Sequence, residues 1–354
     1  MKKILILVIA ISLLSTTVAC AEGPGGVIAE SAILMDYENN RVLWGKGPDE
    51  KLAVASTTKI LTAVVAIENQ DLESDVTISE NVVNMDYSSM DLEVGEKIKL
   101  KYLLYALLLE SCNDAAVAIA EHVSGSESQF AALMNEKAKG LGAVNSNFVT
   151  ASGLDILVDH YSTARDMALI TSYAMKNPTF REVFSTKEYA FSSSVKAYYF
   201  ENQNIMLEQY VECVGGKTGY TYKARHSYVG VFDAYGKKFV CVVLRSSEDG
   251  KWSDASKIIE YAFKNYEIRE IYAPEFVSGG NVIKFEEPFY LLLNEGEYKN
   301  ILISYDESSQ VIKFSVGGHT IYEEKAPVPQ EVLKQAVVEK AEVRYIPVTA
   351  AIKK

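Results

Sequence analysis

Strand-like segments stand at both ends of a helical middle, and that order restricts this chain more than any other feature. Near the start, Ile33-Leu34-Met35 leads into the polar turn Glu38-Asn39-Asn40, and Val42-Leu43-Trp44 returns as the second arm of a hairpin. Strand signals resume at Val211, and Ser227 to Asp233 and Phe239 to Leu244 alternate around Ala234-Tyr235-Gly236-Lys237. The intervening stretch reads as helices. Ser56 to Glu68 is nearly all apolar, which implies burial on every side. Lys101 to Leu109 and Asp114 to Val123 follow. Ser126 to Lys139 opens on a capping box, Ser126 with Gln129, and stops at Gly140. Thr163 with Asp166 opens Met167 to Met175 in the same way. Ser253 to Tyr266 closes the region as a helix. The order predicts an α+β fold, an antiparallel sheet with helices on its faces.

The character of the chain changes after Tyr266. Short strand-like runs, Phe289 to Leu293, Ile301 to Tyr305 and Val311 to Val316, alternate with turns at Asn294-Glu295-Gly296, Asp306-Glu307-Ser308 and Gly317-Gly318. This predicts a small all-β module. The length of 354 residues suits two domains. At the other end, Lys2 and Lys3, the apolar run Ile4 to Leu14 and the small-residue site Ala19-Cys20-Ala21 read as a secretory signal peptide cut after Ala21. An uncleaved anchor and a lipidated Cys20 are the alternatives, although Thr17 stands where a lipoprotein signal prefers Leu. The expected division is residues 1–21 as signal peptide, 22–266 as catalytic domain, 267–348 as a C-terminal β domain and 349–354 as a tail. Val332, Leu333, Ala336 and Val337 form a short apolar stripe, which reads as a packed or frayed tail or as a peripheral membrane contact.

Charge and ligand residues exclude several function classes. The net charge is −12, and removing Lys2 and Lys3 takes it to −14. Such a chain has no electrostatic footprint for nucleic acid. Cys20 leaves with the leader, and Cys112, Cys213 and Cys241 remain, an odd number without zinc spacing. His122, His160, His226 and His319 are scattered, so a metal hydrolase is disfavoured and no metal or cofactor is expected.

Three short motifs carry the chemistry: Ser56-Thr57-Thr58-Lys59, then Ser111-Cys112-Asn113, then Lys217-Thr218-Gly219. Each alone is weak, since Ser193-Ser194-Val195-Lys196 and Ser79-Glu80-Asn81 fit the first two patterns as well. Residues three apart share a helix face, so Lys59 lies one turn from Ser56. A serine hydroxyl needs a base, and a neutral lysine can serve. A free lysine titrates near ~10.4, so work at neutral pH requires a depression worth roughly 4 kcal/mol. Burial, and Lys217 as a second cation, both push that way. The backbone N–H of Ser56 and that of Tyr220, just past Gly219, are the expected oxyanion donors. Gly215, Gly216 and Gly219 are expected to keep that strand edge open for an added peptide strand. Ser111 is a candidate proton relay, and Asn113 a candidate partner of Lys59 and of the substrate amide. The alternative for Ser56 and for Asn113-Asp114 is plain helix capping.

This set of motifs resembles that of the penicillin-binding proteins and class A β-lactamases. The chain is most similar to the low-molecular-mass penicillin-binding proteins, the serine-type D-alanyl-D-alanine carboxypeptidases. Matching stretches include Leu34-Met35-Asp36, Ala55 to Ile60, Ser111 to Ala116, Met134 to Ala138, His160 to Asp166 and Gly216 to Thr221. Residues 27 to 266 resemble the transpeptidase-like catalytic domain and 271 to 348 the family's small β domain. The resemblance implies that Ser56 is acylated by peptidoglycan pentapeptides, with release of the terminal D-alanine. It implies that Ser56, Lys59, Ser111 and Asn113 are catalytic, and that Lys217, Thr218, Gly219 and Tyr220 bind substrate. It also implies β-lactam inhibition and a secreted, extracytoplasmic location. Asn202-Gln203-Asn204 departs from the usual Asn-Thr-Asn, and Lys223-Ala224-Arg225-His226 stands where Ala-Gly is more common. Arg225 and Arg245 are candidates to assist carboxylate binding. The rivals are a class A-like β-lactamase and a non-catalytic wall-binding protein. Against the first, none of Glu182, Glu188, Glu201, Glu208 and Glu212 has Asn four residues on. Against the second, all the motif residues are intact.

Overall fold

A computed structural model describes residues 23–83, 85, 87–272, 275–278 and 281–326. The expected signal peptide, the apolar stripe beyond Glu331 and the terminal tail lie outside the described residues. The first elements are β1 (Ser31–Asp36), β2 (Arg41–Lys46) and α1 (Lys59–Asn69), the last preceded by a 3₁₀ turn over Ala55–Thr58. Next come β3 (Asp75–Thr77), β4 (Lys97–Lys99), α2 (Leu100–Leu109), α3 (Asn113–Ser124) and α4 (Glu127–Gly140). Then follow α5 (Ala164–Ala174), α6 (Pro178–Ser185), β5 (Glu188–Ser192), β6 (Ala197–Glu201) and α7 (Met206–Gln209). The sheet is completed by β7 (Cys213–Thr221), β8 (Arg225–Ala234) and β9 (Lys237–Ser246), and α8 (Gly250–Asn265) follows. Beyond it lie β10 (Tyr266–Ile271), β11 (Phe276–Ser278), β12 (Asn281–Ile283) and β13 (Phe289–Asn294). Last are α9 (Glu295–Asn300), β14 (Leu302–Asp306), β15 (Val311–Val316) and β16 (His319–Lys325).

The main sheet runs β2-β1-β9-β8-β7, and every neighbouring pair is antiparallel. Alternation sorts its side chains between two cores, as the pleat requires. Ile33, Met35, Val229, Val231, Val240 and Val242 join the helices of the middle segment. Ala32, Leu34, Phe232, Phe239, Cys241 and Val243 face α8 through Ala255, Ile258, Ile259 and Ala262. The α+β architecture expected from the order of elements is therefore the architecture found. The first eight residues of α1 are all buried, and α2, α3, α4 and α5 pack around it. The tight turn between β8 and β9 places Tyr235 and Gly236 at φ of 55° and 75°, the left-handed geometry that a two-residue hairpin needs.

Several local expectations change. Gly140 is the last residue of α4 rather than its stop, and the chain turns at Gly142, with φ of 81°. The Thr163 hydroxyl accepts from the Asp166 N–H, but the Asp166 carboxylate accepts from Asn145 N–H and the Ser146 hydroxyl instead of closing a reciprocal box. Asn294-Glu295-Gly296 is no turn: Asn294 and Glu297 make a reciprocal capping box that opens α9. Ser193-Ser194-Val195-Lys196 is the connection of the β5–β6 hairpin, where Ser193 N–H donates to Lys196 O at 2.9 Å.

The described residues gather into two compact units. The larger is Gly23–Tyr272 with Glu287–Leu293; the smaller takes the described residues of Ala273–Glu286 and those from Asn294 onward. Strand β13, expected in the small module, pairs with β10, and Leu292 joins the core beneath α8. In the smaller unit, β14, β15 and β16 form an antiparallel sheet with Ile312 and Phe314 buried.

Candidate active site

Ser56 lies in the 3₁₀ turn that feeds α1, and Lys59 is the helix's first residue. Two backbone features shape this turn. Ala55 has φ of 48°, a left-handed conformation rare for a residue with a Cβ. Gly153, at φ of 84°, packs so closely that a Cβ there would fall 2.0 Å from Ala55 O. Ser56 does not cap the helix; neither the turn nor α1 has a side-chain cap.

The Lys59 side chain is fully buried. Its Nζ lies 2.9 Å from Ser56 Oγ, 2.7 Å from Asn113 Oδ1 and 2.8 Å from Ser152 O. Burial holds its pKa well below the ordinary lysine value, and the nearby Lys217 pushes it further down. Lys217 is buried too, and burial lowers its pKa to about 7. Its amine donates to Thr218 O at 2.9 Å.

Asn113 begins α3, but its side chain turns to Lys59 rather than capping the helix. Asp114 is buried beside it, and its carboxylate accepts from Met90 and Leu92 N–H and the Ser89 hydroxyl. That anchors the loop that brings Tyr87 and Ser88 to the cleft wall. Ser111 takes a left-handed φ of 66° between α2 and α3 and lines the same cleft.

Strand β7 stands at the edge of the sheet and brings Lys217, Thr218, Gly219 and Tyr220 to the turn at Ser56. A Cβ on Gly219 would sit 3.1 Å from Ser56 N and 3.0 Å from Val54 O, so glycine permits this close approach. Gly215 and Gly216 do something else: they pack against Phe184, and against Asn204 and Tyr228. All eight site residues of the sequence reading lie in or beside one cleft of about 310 Å³, with Ser56, Ser111, Asn113, Thr218, Gly219 and Tyr220 among its lining.

The structure adds groups that the motifs did not reveal. Ser152 supplies its carbonyl oxygen, which no side-chain pattern could announce. His160 stands behind the turn: Nδ1 accepts from Val149 N–H at 3.2 Å, and Nε2 meets Thr58 Oγ1 at 2.9 Å. Burial lowers its pKa to about 4, with Lys223 and Lys59 adding to the effect. Gln203 bridges two motifs, accepting from the Thr218 hydroxyl at 3.3 Å and donating to Glu110 O at 3.1 Å. Lys251 faces the cleft with its amine on Glu248 O at 2.8 Å and 4.7 Å from the Trp252 ring centre. The two candidate arginines do not line the cleft. Arg245 pairs with Glu30 at 3.2 Å, and Arg225 lies over the Tyr222 ring. Among the described residues no three His, Cys, Asp or Glu side chains are grouped for a metal ion.

The family model described as D-alanyl-D-alanine carboxypeptidase matches residues 17–248. A D-alanyl-D-alanine carboxypeptidase of Bacillus subtilis is 31% identical over 292 residues, 80% of this chain and 75% of the relative. One of a Streptomyces strain is 35% identical over 274 residues, 72% of this chain and 94% of the relative. Among solved structures, a variant of the Streptomyces K15 DD-transpeptidase superposes with TM-score 0.64 at 33% identity, covering 68% of this chain and 99% of its own. A D-alanyl-D-alanine carboxypeptidase from Francisella tularensis shares the fold over 86% of this chain and 92% of its own, with TM-score 0.73 at 23% identity.

Proposed function

The chain belongs to the D-alanyl-D-alanine carboxypeptidase family, and from that premise we propose that Ser56 is the acylated nucleophile of a serine-type D-Ala-D-Ala carboxypeptidase and Lys59 its base. The enzyme is a serine peptidase that acts on peptidoglycan stem peptides and binds β-lactams. The observation that carries the assignment is the set of three neighbours of the Lys59 amine. Asn113 Oδ1 and Ser152 O can only accept, whereas Ser56 Oγ can also donate. A neutral amine has two N–H groups and one lone pair. The two N–H groups go to the two carbonyl oxygens, and the lone pair is left for the serine proton.

The reaction follows from these positions. Ser56 Oγ attacks the carbonyl carbon between the last two D-alanines as its proton passes to Lys59. The developing oxyanion takes the N–H groups of Ser56 and Tyr220. Lys217 and Thr218 hold the terminal carboxylate, a charge-assisted contact that substrate strengthens by returning a proton to Lys217. Ser111 relays to the leaving amine the proton that Lys59 took from Ser56, which returns Lys59 to its neutral form, and D-alanine departs. Water then hydrolyses the ester, with Lys59 again as base. Lys251 adds positive charge to the same cleft.

In this reading the catalytic domain expected over 22–266 takes in the whole larger unit, Gly23–Tyr272 with Glu287–Leu293, and the remainder of 267–348 is the accessory β domain. The protein works outside the cytoplasm, after export by its leader. No helix among the described residues is long and apolar enough to cross a membrane. Peripheral contact through the tail beyond Glu331 is tested by flotation of the full chain with phosphatidylglycerol vesicles.

The decisive experiment is intact-protein mass spectrometry after exposure to benzylpenicillin and to pentapeptide. The wild-type protein gains one penicilloyl group and releases D-alanine, and Ser56→Ala does neither while keeping its circular dichroism spectrum. Labelling of Ser56→Ala at another serine, or rapid turnover of benzylpenicillin by the wild type, overturns the assignment.

A further inference from the structure

The turn Asn202-Gln203-Asn204 sends its middle side chain into the cleft. The Gln203 N–H donates at 3.1 Å to the carbonyl oxygen of Leu109, the last residue of α2, which fixes the turn against that helix. The flanking asparagines are engaged elsewhere. Asn202 Nδ2 donates to Thr186 O at 2.8 Å, and Asn204 Oδ1 accepts from the buried Tyr228 hydroxyl at 3.0 Å. Of the three, Gln203 alone lines the cleft, beside Thr218 and Ser111. Its amide has one workable orientation. Glu110 O, 3.1 Å from Nε2, can only accept, so the NH2 end faces it. Oε1 then faces Thr218 Oγ1 at 3.3 Å, and the Thr218 hydroxyl donates to it. Turning the amide over would set two acceptors against each other at Glu110 O.

A hydroxyl carries one hydrogen, and Gln203 holds the one on Thr218. A terminal carboxylate at Lys217 and Thr218 needs that same hydrogen, because an ionised carboxylate only accepts. This step rests on the roles proposed above for those two residues. We infer that Gln203 is a specificity-determining residue: it competes with the substrate's terminal carboxylate for the Thr218 hydroxyl, and so lessens the preference for a free carboxylate over a neutral terminus. A terminal carboxamide meets no such conflict. Its NH2 group donates to Thr218 Oγ1 while the hydroxyl stays on Gln203. The carboxylate is not the reacting group, so the competition weighs equally on bound substrate and transition state. It therefore shows in KM and not in kcat.

Two ligands that differ only at the terminus test the inference: diacetyl-L-Lys-D-Ala-D-Ala and its C-terminal amide. Both are read as competitors of acylation by a fluorescent penicillin, so neither needs to be cleaved, and hydrolysis of the free acid gives KM and kcat. Gln203→Met keeps the length of the side chain and removes the acceptor. It is expected to bind the free acid about threefold to tenfold more tightly, the scale of one hydrogen bond. KM for the free acid should fall by the same factor with kcat within about twofold, and the amide should bind within about twofold of wild type. Gln203→Ala should follow Gln203→Met. In a Thr218→Val background the gain should vanish, because no hydroxyl is left to compete for. If Gln203 only braces β7 against the turn of Ser111, both variants lose kcat or bind both ligands more weakly, whichever residue stands at 218. That result, no gain for the free acid, an equal gain for the amide, or a gain that survives Thr218→Val overturns the inference. A wild-type protein that takes up no penicillin sinks the assignment of Ser56 instead.

Discussion

At the scale of single residues, Lys59 and His160 show opposite uses of burial. Burial holds the Lys59 amine well below the ordinary lysine range, which favours the neutral form that the proposed base needs. Lys59→Ala is expected to slow acylation by benzylpenicillin by roughly 10²–10⁴-fold, the usual span for loss of a general base. Stopped-flow quenching of intrinsic fluorescence checks this, and a normal rate removes Lys59 from its role. His160 is kept neutral for a structural purpose. Because Nδ1 accepts from the backbone, Nε2 carries the hydrogen and donates to Thr58. His160→Leu leaves those groups without partners and should lower stability by about 1–3 kcal/mol. His160→Gln offers one acceptor and one donor and should recover most of that loss in urea unfolding. The approach of the Lys59 amine to Ser56 Oγ was legible from their spacing. The part played by His160 was not, although its surrounding motif was noticed, because nothing local says that a histidine is paired with backbone 10 residues away.

Elements show where pattern reading succeeds and where it stops. Strands β1, β8 and β9 and the buried helix α1 could be read because one or both faces are apolar in the right period. The hairpin of β5 and β6 was missed; its strands are short, Ala190, Ala197 and Tyr199 on the outer face blur the alternation, and its inward Phe191, Tyr198 and Phe200 join the helical core beside Tyr102 and Tyr105. That same hairpin disposes of the second Ser-x-x-Lys match, since a connecting turn cannot stack the two side chains on one helical face. Strand β7 was legible as a strand but not in the division of labour among its glycines. Gly219→Val is the sharpest probe of it. The added side chain would press on Val54 O and Ser56 N and separate the strand from the nucleophile. Loss of at least about tenfold in kcat/KM with pentapeptide is expected, the range for disturbing one oxyanion donor being larger still. Thermal unfolding should still be cooperative, because the strand lies at an edge.

At the scale of the whole molecule, a change in strand length and turn frequency suggests two domains but cannot place a seam, because β13 returns to pair with β10 and no short-range signal records such a long-range pairing. The two buried amines have a thermodynamic consequence for the entire fold. Lys217 titrates at about 7 in the native protein and near ~10.4 in an unfolded chain. Between those limits the unfolded chain holds a proton that the native protein lacks, so resistance to unfolding climbs with pH across that interval and is weakest below it. The difference is worth about 5 kcal/mol from Lys217, and Lys59 acts with the same sign. Lys217→Met should therefore be a sturdier protein than the parent at pH 6, with a flatter dependence of the urea midpoint on alkalinity. It should also be inert toward pentapeptide. A variant weaker than the parent at pH 6 contradicts this. The cleft is thus a place where the molecule gives up robustness to keep two amines ready for reaction, and selection for hardiness alone would be expected to erase them.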